Sequence, residues 1–131
     1  MAGTINLVDK KATSDFEVRM NHFNEKGLFT KIKISKGDII SSIQGKVKKE
    51  PDKYSIQIAQ GKHIEVDSVF KFMNHNCSPS VHIKERFIYA VRNLKPGDEI
   101  TFDYNTTEDY LASPFKCECC GNIIKGREFY K

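Results

Sequence analysis

The sequence predicts a mainly β chain built from several small antiparallel sheets, with one or two short helices. Two observations carry this. Short segments rich in β-branched and aromatic residues recur along the chain, separated by Gly, Pro, Asp and Ser. Helical spacing of apolar residues is confined to one brief stretch. A length of 131 residues suits one domain, and an apolar fraction of 39% with 11% aromatics supplies a core of Ile, Val, Phe and Tyr.

The elements follow in order. Strands are expected over 16–20, 27–34, 38–47, 54–59, 81–83, 87–91 and 99–104, where residues alternate or run continuously apolar. Ser35-Lys36-Gly37-Asp38 and Lys95-Pro96-Gly97-Asp98 are turn formers, Gly supplying positive φ and Pro presetting the first bend. They sit in similar phrases, 34–40 and 94–100, each read as a turn leading into a strand. Val66, Val69, Phe70 and Met73 recur at helical spacing, with Asp67 or Ser68 as a cap, and predict a short helix. A second helical turn is expected after Thr107, where Glu108 and Asp109 suit a helix N-terminus. Residues 1–15 read as an N-terminal extension with few apolar anchors.

Lys and Arg exceed Asp and Glu by 21 to 17, a net charge of +4, which tolerates an acidic partner without specifying nucleic acid. No direct nucleic-acid binding and no membrane span are expected, since no run approaches about 18 apolar residues. Met1-Ala2-Gly3-Thr4 lacks the regions of a secretory signal, so the expectation is an intracellular protein, cytoplasmic or nuclear. The four cysteines are Cys77, Cys117, Cys119 and Cys120. Thiols clustered this closely, in an intracellular protein, favour a metal or a redox role over disulfides.

Two stretches carry chemistry. Asn74-His75-Asn76-Cys77-Ser78-Pro79-Ser80 places polar and reactive groups directly after an apolar segment, so they enter the interior and need partners there. Asn74 offers two donors and an acceptor, and the His75 imidazole donates and accepts, a set that suits the edge of a heterocyclic ring or a structural pair. Glu99-Ile100-Thr101-Phe102-Asp103-Tyr104 ends a strand in an aromatic-acid-aromatic triplet, whose tyrosine hydroxyl orients a polar substrate or simply packs.

Four phrases in this order, Lys26-Gly27-Leu28-Phe29, Ile34 to Ile40, Phe72-Met73-Asn74-His75-Asn76-Cys77-Ser78-Pro79 and Leu94 to Tyr104, resemble the SET domain of protein lysine methyltransferases. Phe115-Lys116-Cys117-Glu118-Cys119, running on to Gly126, resembles the family's post-SET segment. The resemblance implies a β-clip SET fold over 16–112 with a post-SET-like segment over 113–131. In that fold the Asn-His-x-Cys and Phe-Asp-Tyr segments thread past each other in a pseudoknot, against the usual avoidance of threaded loops. It implies an S-adenosylmethionine-dependent lysine methyltransferase. Lys26, Gly27, Leu28, Phe29, Asn74, His75 and Tyr104 would hold the cofactor, with Tyr104 the catalytic tyrosine. Tyr54 and Phe102 would line the lysine channel, Phe102 as the switch that permits di- or trimethylation. Cys77, Cys117, Cys119 and Cys120 are the candidate zinc ligands, and a lysine-bearing protein is the partner. The cofactor arrives activated, so such a site mainly positions a neutral amine and excludes water.

Four positions depart from the family pattern. Glu25 stands for a second glycine, Lys71 for the arginine before Phe-x-Asn-His, Ser80 for an asparagine, and Ile124 for the third post-SET cysteine. Two other readings compete: a SET-like module that binds a peptide without catalysis, and a zinc-ribbon-like nucleic-acid module, which leaves everything before residue 117 unexplained.

Overall fold

The described residues, 15–118 and 120–127 of the computed structural model, form twelve short strands and two single turns of 3-10 helix. The strands are β1 (Phe16–Met20), β2 (Lys26–Thr30), β3 (Ile39–Ser42), β4 (Gly45–Lys48), β5 (Ser55–Ala59) and β6 (Lys62–Val66). They continue as β7 (Asn74–His75), β8 (Val81–Lys84), β9 (Phe87–Ala90), β10 (Glu99–Phe102), β11 (Phe115–Lys116) and β12 (Ile123–Ile124). They make four sheets, in the orders β1-β2-β10-β7, β3-β9-β8, β4-β6-β5 and β11-β12. No helix among the described residues is long and apolar enough to cross a membrane.

The two similar turn phrases organise the centre. Gly37 and Gly97 take φ of 89° and 96°, a region that only glycine enters without strain. In each turn the Asp carboxylate accepts from the first residue's N–H, Asp38 from Ser35 and Asp98 from Lys95, both at 3.0 Å. Ile34 and Leu94 then pair with each other through two backbone bonds of 3.0 and 2.8 Å. Gly37 donates to Ala90, and Gly97 to Thr30, both at 2.8 Å, so one local solution is used twice to pin two sheets together.

Leu28, Ile64, Ile88 and Ile100 are fully buried, one or two from each of the three larger sheets, and with Ile43 between β3 and β4, Phe70 and Val81 they form a single core. Truncating any of these Leu or Ile residues to Ala costs roughly 2–5 kcal/mol. The strand expectations hold in place but were long: the span 38–47 divides at Ile43-Gln44 into β3 and β4, and 27–34 and 99–104 stop at Thr30 and Phe102.

Three expectations are corrected. The stretch 66–73 is one 3-10 turn, Val69–Phe72, not an α-helix; Ser68 caps it, accepting from Phe70 N, and Met73 returns to extended backbone. The second turn precedes Thr107 instead of following it: Tyr104–Thr106, capped by Asp103, with Thr107 closing it. The sheets are also not all antiparallel, because β7 runs parallel to β10, with Asn74 opposite Thr101 and His75 opposite Phe102. Asn76 and Ser80 extend this contact by donating to the Phe102 and Thr101 carbonyls, so the two segments expected to form the pseudoknot lie hydrogen-bonded side by side. The expected N-terminal extension lies almost wholly outside the described residues.

Candidate active site

Parallel pairing of β7 with β10 opens a cleft of about 550 Å³, lined among others by Asn21, Lys26, Asn74, His75, Glu99, Tyr104 and Phe115. Its floor begins at Gly27. A Cβ there would sit 2.5 Å from Glu99 Oε2 and 3.2 Å from Asn74 Nδ2, so only glycine lets these two side chains reach across β2. Asn74 Nδ2 donates to the Lys26 carbonyl at 2.8 Å and to Glu99 Oε2 at 3.0 Å, and Asn21 Nδ2 reaches the same carboxylate at 3.5 Å. An anionic acceptor held this way strengthens both bonds and fixes the cleft's polar edge.

Of the four residues expected around Gly27, Lys26 lines the cleft. Leu28 and Phe29 belong to the sheet: their side chains are buried, and both pair with β1 on one side and β10 on the other. Arg19 stacks on the Phe29 ring at 3.7 Å.

His75 turns its ring inward. Its Nδ1 accepts from the Tyr104 backbone N–H at 3.0 Å, which places the ring proton on Nε2, 3.4 Å from Cys77 Sγ. Burial lowers its pKa, against the opposing charge of Asp103 at 3.6 Å, so the ring stays neutral as that hydrogen bond requires. Both ring nitrogens are thus engaged within the protein, and with its side chain only 1% exposed His75 meets the cleft chiefly through its backbone.

Tyr104 sits where these parts converge. Its ring packs on Phe102, His75 and Phe115 at centroid distances of 4.7, 5.3 and 5.9 Å, and its hydroxyl donates to the Met73 carbonyl at 2.8 Å. Burial raises its pKa strongly, and the carboxylates of Glu25, Glu108 and Glu99 push the same way, so the phenol remains protonated at any physiological pH. A second, smaller cavity of about 40 Å³ adjoins the cleft and shares Tyr104 with it, lined among others by Asp52, Tyr54, Lys71, Met73, Phe102 and Glu108. The expected pair Tyr54 and Phe102 therefore meets Tyr104 in one aromatic recess.

The thiols also gather. Cys77 Sγ lies 3.7 Å from Cys117 Sγ and 3.3 Å from Cys120 Sγ, and His75, Cys77 and Cys117 have donor atoms within 4.8 Å of one another. Cys119 lies outside the described residues. Ile124 is buried in β12 opposite Phe115, which accounts for an apolar residue where a cysteine was expected. Ser80 carries its own position: fully buried, its Oγ donates to the Glu99 carbonyl at 2.9 Å and accepts from Thr101 N at 2.8 Å, locking β10 in place.

The sequence model of the SET domain matches residues 25–105, a span that contains the cleft floor, both turn phrases and Tyr104. The chain belongs to the SET-domain family. Among curated relatives, the SET domain here is 37% identical over 82 residues to "Methyltransferase flvH" of Aspergillus flavus, covering 56% of this chain and 46% of that one. It is 35% identical over 77 residues to the H3 lysine-36 specific histone-lysine N-methyltransferase of Saccharomyces cerevisiae, covering 50% of this chain and 10% of that one. The solved structure of KRYPTONITE in complex with mCHG DNA and SAH superposes with a TM-score of 0.64 at 20% identity, over 79% of this chain and 27% of that one, a likeness of fold. The chain spans less than half the length of each.

Sequence reasoning missed three participants of this SET-domain cleft. Glu99 was read only as a strand residue, yet it is the acceptor that Asn74 needs. Phe115 was read only as part of the post-SET-like segment, and it closes the aromatic nest around Tyr104. Glu108 was read as a helix-terminus acid; it is buried in the recess instead. The spacing of Glu99 after Pro96-Gly97-Asp98 was the one signal available, since it fixes the register of β10 against β2.

Proposed function

We propose that this SET domain is a protein-lysine N-methyltransferase that uses S-adenosylmethionine. The observation that carries the reading is a buried, neutral Tyr104 shared by a large polar-edged cleft and a small adjoining recess, a geometry with room for a cofactor in the first and a narrow side chain in the second. The KRYPTONITE structures hold SAH, and one also holds an H3(1-15) peptide, which supports the same division of labour.

The cleft fits such a cofactor by its donor set. Lys26 and the Asn74–Glu99 pair over Gly27 supply the polar edge, and the backbone of His75 with the Phe115 ring supplies an aromatic wall. When bound, S-adenosylmethionine supplies an activated methyl group. The chain's own residues then have two tasks. Tyr104 and its aromatic neighbours exclude water and disfavour a charged amine, lowering its pKa. The hydroxyl, held by Met73 and unable to ionise, orients the amine lone pair.

A zinc ion fits the thiols. Tetrahedral zinc with bonds of about 2.3 Å separates its sulfurs by about 3.8 Å, close to the spacing of Cys77 and Cys117. Cys77, Cys117 and Cys120 would hold it, with Cys119 as the remaining candidate.

Phe102, buried against Tyr104, presents no hydroxyl to crowd a methylated amine, which supports di- or trimethylation. One hydrogen bond of about 1 kcal/mol changes product ratios severalfold, so Phe102→Tyr should shift products toward monomethyl-lysine by mass spectrometry. Methyl transfer from labelled S-adenosylmethionine to recombinant histone H3 tests the function. Incorporation on lysine supports it. Cofactor binding without incorporation into H3 or into an array of lysine-bearing proteins would favour a peptide-binding module without catalysis.

A further inference from the structure

The recess beside Tyr104 joins aromatic and apolar side chains to Asp52, Lys53, Ser55 and Lys71, and Glu108 is the one carboxyl of its lining that is buried. Glu108 is only 4% exposed, yet it lines the same cavity as Tyr54, Phe102 and Tyr104. Its position is fixed: Oε2 accepts from Gln57 N at 2.7 Å and from Thr107 Oγ1 at 2.8 Å, and its backbone N–H is bonded to the Tyr104 carbonyl at 2.9 Å. Nothing about packing requires an acid there, because a glutamine would accept the same two bonds, and burying an ionisable group is costly, a cost that the charge of Arg127 offsets only in part.

We propose that Glu108 is the proton acceptor of the lysine channel, receiving the incoming side-chain ammonium and taking its proton. The inference rests on the lysine-methyltransferase reading. In the step, one N–H bond of the ammonium breaks, its electron pair stays on nitrogen as the lone pair, and the Glu108 carboxylate becomes a carboxylic acid, later returning the proton to water. The two groups are matched in direction, since burial raises the carboxyl's pKa while the same recess lowers that of the amine.

The charged and titratable groups around Glu108 leave it this role. Arg127 donates to Asp109 Oδ1 at 2.6 Å and to the Thr106 carbonyl at 3.1 Å, and Tyr104 is neutral. Asp52 accepts from Lys48 and from Tyr54 N, while Lys71 lies over the Tyr54 and Phe72 rings and Lys53 over Tyr54.

The test uses n-butylammonium as a lysine mimic and 1-butanol as its neutral counterpart, binding being followed by NMR shifts at Phe102 and Tyr104 in the full chain. Wild type should bind the ammonium, and Glu108→Gln should weaken it at least tenfold while butanol binding and the cofactor dissociation constant stay the same. Equal ammonium binding by both proteins, or none by wild type, overturns the proposal. If Glu108→Gln does not fold, wild type alone decides. Ammonium binding must fall as pH drops through the Glu108 ionisation while butanol binding does not, and a pH-independent affinity overturns it. Absence of methyl transfer to H3 and to other lysine-bearing proteins with this discrimination intact would instead overturn the methyltransferase reading alone.

Discussion

Tyr104 is held by its backbone, its hydroxyl and its ring through groups from different parts of the chain, so its orientation does not depend on its hydroxyl alone. Tyr104→Phe therefore removes one hydrogen bond, worth about 1 kcal/mol, without collapsing the nest. Methyl transfer should fall by about ten- to a thousandfold while the cofactor dissociation constant changes little. Retained turnover on a methylated substrate would demote the hydroxyl to packing. Gly27 predicts the opposite pattern. The atom that a Cβ would meet first is the end of the Glu99 side chain, which can move, so Gly27→Ala should fold. Displacing Glu99 breaks the Asn74 bond, and cofactor affinity should weaken at least fivefold, roughly the 1 kcal/mol of one such bond, with maximal turnover less affected. Calorimetric titration of both variants separates the two effects.

At the scale of elements, what the sequence made legible was local chemistry. The turns at Gly37 and Gly97 follow from residue types that act within four positions, and they were found. β7, β11 and β12 have two residues each, too few for an alternating pattern to show, and β7 exists only because the distant β10 pairs with it. The 66–73 stretch shows why periodicity misled: Val66 closes β6, and the remaining apolar residues bury themselves with a single 3-10 turn. In the site, Tyr104 and Asn74 were legible through a family phrase, whereas the inward turn of His75 depends on Tyr104 N, 29 positions away. The β11–β12 hairpin is too short to be stable alone. A metal tying Cys117 and Cys120 to Cys77 would hold it, so purified protein should carry at most one zinc per chain. Cys120→Ser should lower that content and the melting temperature together. Elemental analysis decides: a metal-free, stably folded and active preparation would mean that Phe115, Ile123 and Ile124 hold the segment by packing.

Across the whole molecule, the titrating groups pull stability in opposite directions with pH, and the sign separates them. Asp98, held low mainly by the Lys95 backbone N–H, and Asp52, held low mainly by Lys48, favour the folded state above their unfolded ionisation and lose that contribution as pH falls through their folded values. His75, lowered from 6.5 by burial, favours the folded state above that value and loses its contribution as the solution becomes more acidic. Glu108 is the exception. Burial raises it above its ordinary 4.5, so the folded state binds its proton more tightly than the unfolded chain does. Its contribution is fully present below the unfolded value and is lost as pH rises through the folded one. Glutamine keeps the acceptor for Gln57 N and Thr107 Oγ1 but has nothing to ionise. The melting temperature of Glu108→Gln should therefore gain on that of wild type as pH is raised from about 4 to about 8, the two being nearest at the acid end. Paired thermal denaturation across that range measures the difference directly. A constant offset at every pH would mean that Glu108 titrates alike in the folded and unfolded chains and that its burial carries no ionisation cost. A widening gap would show an acid kept in the recess against stability, the pattern expected of a residue retained for its chemistry.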